Sequence, residues 1–114
     1  MILVIGGLAS GKREYVKSEY GYTDGDISPS PLESKPVLYD LQEIIKNDAD
    51  AECIFPSLLT KQIVICTDIG CGIVPLDPAE REKREAVGRL CIRLAREASQ
   101  VVRIKCGIPQ ILKG

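Results

Sequence analysis

The opening stretch, Met-Ile-Leu-Val-Ile-Gly-Gly-Leu-Ala-Ser-Gly-Lys, restricts the fold more than any other part of the chain. Ile2 to Ile5 is an unbroken apolar run, which suits a strand buried on both faces of a parallel sheet rather than one with a wet face. The glycines behind it let the backbone curl until successive N–H groups point into one concavity, and a following helix adds its positive end. Strand, glycine loop, lysine, helix is the order of a phosphate cradle, with Lys12 reaching the transferring phosphate. The candidate phosphate-binding residues are Gly6, Gly7, Leu8, Ala9, Ser10, Gly11, Lys12 and Arg13. A tight strand-to-helix turn, with glycines for geometry alone, is the competing reading. Arg13 is the misfit, because a Ser or Thr hydroxyl normally follows the lysine and holds Mg²⁺. Either its guanidinium swings outward and water completes the metal's shell, or it contacts phosphate itself. Both arrangements slow phosphoryl transfer.

Three further β-rich runs, Pro36 to Tyr39, Gln62 to Thr67 and Gln100 to Lys105, read as strands. Between them the spacing predicts a helix from about Gly11 to Glu19 that stops at Gly21, and another that starts near Leu41 and carries Ile44 and Ile45. The longest predicted helix runs from Pro78 to Ala98, with Asp77 placed to cap it, Pro78 at its first position and Glu80 in its first turn. This alternation predicts an α/β fold: a three-layer, P-loop NTPase-like domain with a mostly parallel central sheet, spanning residues 1–114 as a single nucleotide-binding unit. Gly21 to Pro36, with prolines at 29, 31 and 36, reads as an exposed, mobile connection.

Composition narrows the chemistry. A net charge of −1 and 4% aromatic residues leave little with which to hold nucleic acid. No apolar run approaches the ~20 residues of a membrane span, and the chain reads as cytoplasmic. Five cysteines without a Cys-x-x-Cys pair read as plain thiols. The chain contains no histidine, which removes the commonest metal ligand and acid–base group.

Two other loops belong to the same end of such a sheet. Asp40 closes the Pro36 to Tyr39 run, where a carboxylate holds Mg²⁺ through water or orients an acceptor hydroxyl. It is equally placed to cap the helix that follows. Lys12 and Asp40 are thus the candidate catalytic pair, with Asp40 the candidate metal ligand. After Gln62 to Thr67, the run Thr67-Asp68-Ile69-Gly70-Cys71-Gly72-Ile73-Val74-Pro75 leaves the carboxyl end of a strand and borders a ligand crevice. Asp68, Gly70, Gly72 and Arg84 are the candidate crevice residues.

Taken in order, these motifs resemble the bifunctional adenosylcobinamide kinase / adenosylcobinamide-phosphate guanylyltransferase family of cobalamin biosynthesis. Thr67 to Pro75 is similar to that family's Asn-Glu-Val-Gly-x-Gly-Ile-Val-Pro signature. Arg81, Arg84, Glu85, Gly88 and Arg89 stand in the register of its Arg-x-x-Arg-Asp-x-x-Gly-Arg helix. Gly107, Ile108, Pro109 and Lys113 match its Gly-Ile-Pro-x-x-x-Lys tail, and Val37 to Asp40 resembles its Leu-Leu-Asp strand. The chain departs from the pattern at Arg13, at Cys91 and Ile92 where the family has Asn-Gln, and between the first helix and Asp40. There the resemblance implies several dozen more residues, including the histidine that becomes guanylylated.

The resemblance implies a shortened kinase-like protein that binds ATP or GTP with Mg²⁺ and transfers the γ-phosphate to a hydroxyl of a cobinamide-type substrate. The guanylyl-transfer half is expected to be lost with the histidine. The alternative is a non-catalytic relative that binds a nucleotide or corrinoid phosphate as a regulatory or assembly subunit. Either form is expected to be a homo-oligomer.

Overall fold

The computed structural model describes residues 1–7, 11–29, 34–46, 51–67 and 78–114. Strand β1 (Ile2–Gly6) leads into helix α1 (Lys12–Tyr20), followed by a 3-10 turn at Asp24–Asp26 and the short strands β2 (Ile27–Ser28) and β3 (Val37–Leu38). Helices α2 (Leu41–Lys46) and α3 (Ala51–Leu59) come next, then β4 (Ile63–Thr67), α4 (Pro78–Glu97), β5 (Gln100–Lys105) and β6 (Ile108–Lys113). The six strands form one sheet in the order β2-β3-β4-β1-β5-β6. All neighbours are parallel except the β5–β6 hairpin.

Adjacent residues of the central strands face opposite layers, which is why their sequence is continuously apolar. Leu3, Val64, Cys66 and Val101 pack with Leu41 of α2, Leu58 of α3, and Val87, Leu90 and Leu94 of α4. Val4, Ile63, Ile65 and Val102 pack on the other face with Val16 of α1. Three layers result, with α1 on one side of the sheet and α2 to α4 on the other. The expected α/β, P-loop NTPase-like architecture with a mostly parallel central sheet is therefore the one observed.

Local signals explain most element ends. Gly21 terminates α1 at φ 74°, its N–H bonded to the Lys17 carbonyl, as a left-handed glycine cap requires. Tyr20 Oη donates to Gln100 Oε1 over 2.9 Å, tying that end of α1 to β5. At the same end of β5, on the α4 side of the sheet, Lys113 Nζ donates to the carbonyls of Ala95 and Arg96, over 3.0 and 2.9 Å, and so satisfies the last turn of α4.

Three features differ from the sequence reading. The sequence reading has no helix at 51–59, where α3 forms around Pro56, a residue that ordinarily interrupts a helix. β6 was not expected either: Cys106 (φ 52°) and Gly107 (φ 75°) make a two-residue turn with both central residues left-handed, a geometry usually announced by Asn-Gly or Asp-Gly. Finally, the connection from Gly21 to Pro36 is partly built. Thr23 and Asp26 form a reciprocal capping box around the 3-10 turn, and Ile27 and Ser28 are buried where β2 pairs with β3. Polar side chains satisfying the backbone locally do here what long strands do elsewhere.

Candidate functional site

The carboxyl ends of the parallel strands set the site. Gly6 pairs in register with Thr67 of β4 on one side and Ile104 of β5 on the other. The chain leaving β1 therefore emerges at the middle of the sheet's carboxyl edge, the usual crevice of such folds. It returns at Gly11, whose φ of 91° is one that side chains rarely adopt. A Cβ there would also stand 3.4 Å from Gly107 Cα in the β5–β6 turn, an ordinary contact, so the backbone conformation is the costly part. We expect Gly11→Ala to lower unfolding stability by about 1–2 kcal/mol, read from the urea midpoint. An unchanged midpoint would mean that this turn is not held in the left-handed form.

Lys12 begins α1 and is only 6% exposed. Its ammonium donates to the Gly7 carbonyl over 2.6 Å, folding the side chain back across the mouth of the loop. Burial pulls its pKa below the ordinary lysine value, while Cys66 and Asp40 nearby oppose that shift. Lys12, Asp40 and the end of β4 thus form one electrostatic neighbourhood.

Asp40 follows β3 and directly precedes α2, with φ 59°. Left-handed Asp is tolerated but uncommon, and such backbone is concentrated at binding sites. Its carboxylate accepts a hydrogen bond from Gln42 Nε2 at 3.2 Å, and Gln42 Oε1 in turn accepts from the Thr67 N–H at 3.0 Å. Gln42, 5% exposed, is a bridge that sequence reasoning missed. Its only signal is a polar residue in the first turn of a helix that starts at a strand's carboxyl end. The bridge orients Asp40 and holds the start of the loop after β4.

Arg13 reaches the 3-10 turn. Its guanidinium donates to Asp24 Oδ1 over 2.9 Å and lies 5.4 Å from the centre of the Tyr39 ring, while Lys17 Nζ reaches the same Asp24 oxygen at 3.2 Å. The two cations, Lys17 first, hold the Asp24 carboxyl below its ordinary range. Arg13 and Asp24 side chains are 40% and 67% exposed, so the pair adds little stability. Arg13 Nε is buried and has no hydrogen-bond partner among the described residues. The guanidinium thus sits against the 3-10 turn and the Tyr39 ring.

Leu8, Ala9 and Ser10 of the cradle, Asp68, Gly70 and Gly72 of the crevice loop, and the expected cap Asp77 lie outside the described residues. Arg84 lies half-buried in α4. Among the described residues, those brought together are Gly7, Gly11, Lys12, Asp40, Gln42 and Thr67. Also among them, no helix is long and apolar enough to cross a membrane.

Comparison with protein-family models matches residues 34–112 to cobinamide kinase / cobinamide phosphate guanyltransferase. The match begins beyond the candidate phosphate loop and covers β3 through most of β6. No curated protein matches the chain.

Proposed function

The chain belongs to the cobinamide kinase / cobinamide phosphate guanyltransferase family, and from that premise we propose that it carries the kinase half: transfer of the γ-phosphate of ATP or GTP to a cobinamide-type hydroxyl. Membership supports nucleotide binding and a place in cobalamin biosynthesis. The observation that carries the finer reading is Lys12, buried at the start of α1 with its ammonium on the Gly7 carbonyl. A charge is kept in so dry a place only where it has a partner. A phosphate entering the loop would take over from that carbonyl, with main-chain N–H groups between Gly6 and Arg13 completing the cradle.

In the proposed reaction the acceptor oxygen attacks the γ-phosphorus as the bond to the β–γ bridging oxygen breaks. The nucleoside diphosphate leaves with that electron pair, and the hydroxyl proton passes to Asp40 or to a phosphoryl oxygen. Lys12 neutralises charge on the moving group, and Gln42 keeps Asp40 oriented toward the acceptor. No covalent intermediate on the protein is needed.

Magnesium at nucleotide sites takes one or two protein oxygens and fills the rest of its shell with phosphate and water. Asp40, beside Lys12 at the crevice, fits that requirement; residue 13 offers no oxygen. The ion, when bound, supplies charge neutralisation at the β- and γ-phosphates. Guanylyl transfer through a histidine has no counterpart here, since the 114 residues contain none.

Arg13 favours a second reading, a relative that binds nucleotide without turnover. Titration of ATP and GTP with and without Mg²⁺, followed by a phosphoryl-transfer assay on cobinamide, separates the two. Mg²⁺-dependent binding with cobinamide phosphate formed supports the kinase. Binding indifferent to Mg²⁺ without product supports the silent relative. Arg13→Ser restores an oxygen beside Lys12, and we expect it to raise turnover about tenfold or more, the effect of ~1.4 kcal/mol on the barrier. No gain would mean that residue 13 does not limit the reaction.

A further inference from the structure

Behind Lys12, two thiols meet between the sheet and its long helix. Cys66 lies near the carboxyl end of β4, buried in the core. Cys91, half-buried, is on the α4 face that also carries Val87, Leu90 and Leu94. Cys91 Sγ donates to Cys66 Sγ over 3.6 Å, and Cys66 Sγ donates to the Thr67 carbonyl over 3.5 Å. The sulfurs are already in contact, on two elements 25 residues apart in sequence. We propose that Cys66 and Cys91 are an oxidisable dithiol, a modification site at which a peroxide closes a disulfide between β4 and α4.

The two sulfurs have different roles. The neighbouring Cys91 thiol and burial keep the Cys66 thiol protonated well above the ordinary range, so it is a poor first nucleophile. Cys91 is the sulfur an oxidant reaches. Its thiolate attacks one peroxide oxygen, the O–O bond breaks, and hydroxide or alkoxide leaves as Cys91 becomes a sulfenic acid. Cys66 sulfur then attacks the Cys91 sulfur and displaces hydroxide, which takes the Cys66 proton and departs as water. Two thiols have lost two electrons to the peroxide, which is reduced to two waters in the case of hydrogen peroxide. A bond of about 2.0 Å requires the sulfurs to close by side-chain rotation. The buried setting then shields the bridge from reductants, whereas Cys53 and Cys106 are exposed.

The proposal stands on the contact between the two sulfurs and needs no nucleotide in the loop. Treat the reduced full-length protein with stoichiometric hydrogen peroxide, block remaining thiols with N-ethylmaleimide after denaturation, and map the peptides by mass spectrometry. The expected result is a Cys66–Cys91 cross-linked peptide, loss of two alkylatable thiols per chain, and an unfolding midpoint several degrees higher that returns on reduction. Cys91→Ser should leave Cys66 fully alkylated. The Cys53→Ser/Cys106→Ser protein, which keeps the pair, should still close the bridge, so the result does not hang on one variant's folding. Full alkylation of Cys66 and Cys91 after peroxide, a Cys66–Cys71 link, or Cys91 carried to sulfinic acid without a bridge would each overturn the proposal.

Discussion

Lys12→Met is expected to weaken ATP or GTP binding by about tenfold to a hundredfold, the loss of charged hydrogen bonds of ~1.5–3 kcal/mol, and to abolish any phosphoryl transfer. Methionine keeps much of the apolar stem and the volume, so the variant should stay folded. It should even gain stability without nucleotide, because Lys12 is a buried cation that, among the described residues, donates to the Gly7 carbonyl. The sign follows from the depressed pKa. Below the folded-state value both states hold the proton and the burial cost is fully felt. Between that value and the ordinary 10.5, the unfolded chain binds more protons, so wild-type stability rises with pH. The stability gap between Lys12→Met and wild type should therefore narrow as pH climbs through that window, measured by urea midpoints. A variant that binds nucleotide as tightly as wild type would remove Lys12 from the site.

The largest effect on the fold is expected at Leu94. It is fully buried on the inner face of α4, in the layer that holds Leu3, Val64 and Val101 of the sheet. Leu94→Ala deletes three carbon atoms from this layer and leaves a cavity that close-packed neighbours refill only partly, at a cost of about 3 kcal/mol. For a domain of this size that lowers the thermal midpoint by roughly 10 °C or more. A loss below ~1 kcal/mol would mean that α4 is not packed on the sheet as described. Neighbouring exposed charges on the same helix, such as Arg89 and Glu85, 3.7 Å apart, should be nearly silent by comparison.

How far the sequence could be read depended on the range of the interaction. β1, α1 with its Gly21 cap, β4, β5 and α4 follow local rules: continuous apolar character for doubly covered strands, glycine for a left-handed stop, and helical spacing for a long amphipathic face. Their bounds lie within a residue or two of those expected. α3 and β6 break local rules, one by enclosing Pro56, the other by turning through Cys106. They form because tertiary packing outweighs a weak local preference. In the site, Lys12 and Asp40 were legible because strand ends place them together. The Gln42 bridge from Asp40 to Thr67 was not, since Gln42 and Thr67 are 25 positions apart. Nor was the direction of Arg13. Nothing in its own neighbourhood points to Asp24, eleven residues on, until the Thr23–Asp26 capping box sets that turn against α1.

The central claim is that the main chain around Lys12 receives an anionic phosphate. Its most direct test is a ¹⁵N–¹H correlation titration of the protein with ATP, following the amides of Gly7, Gly11, Lys12 and Arg13. The account predicts saturable shifts concentrated at those amides, reproduced by tripolyphosphate and absent in Lys12→Met. Shifts confined to other parts of the chain, or none at concentrations where nucleotide is bound, would contradict it.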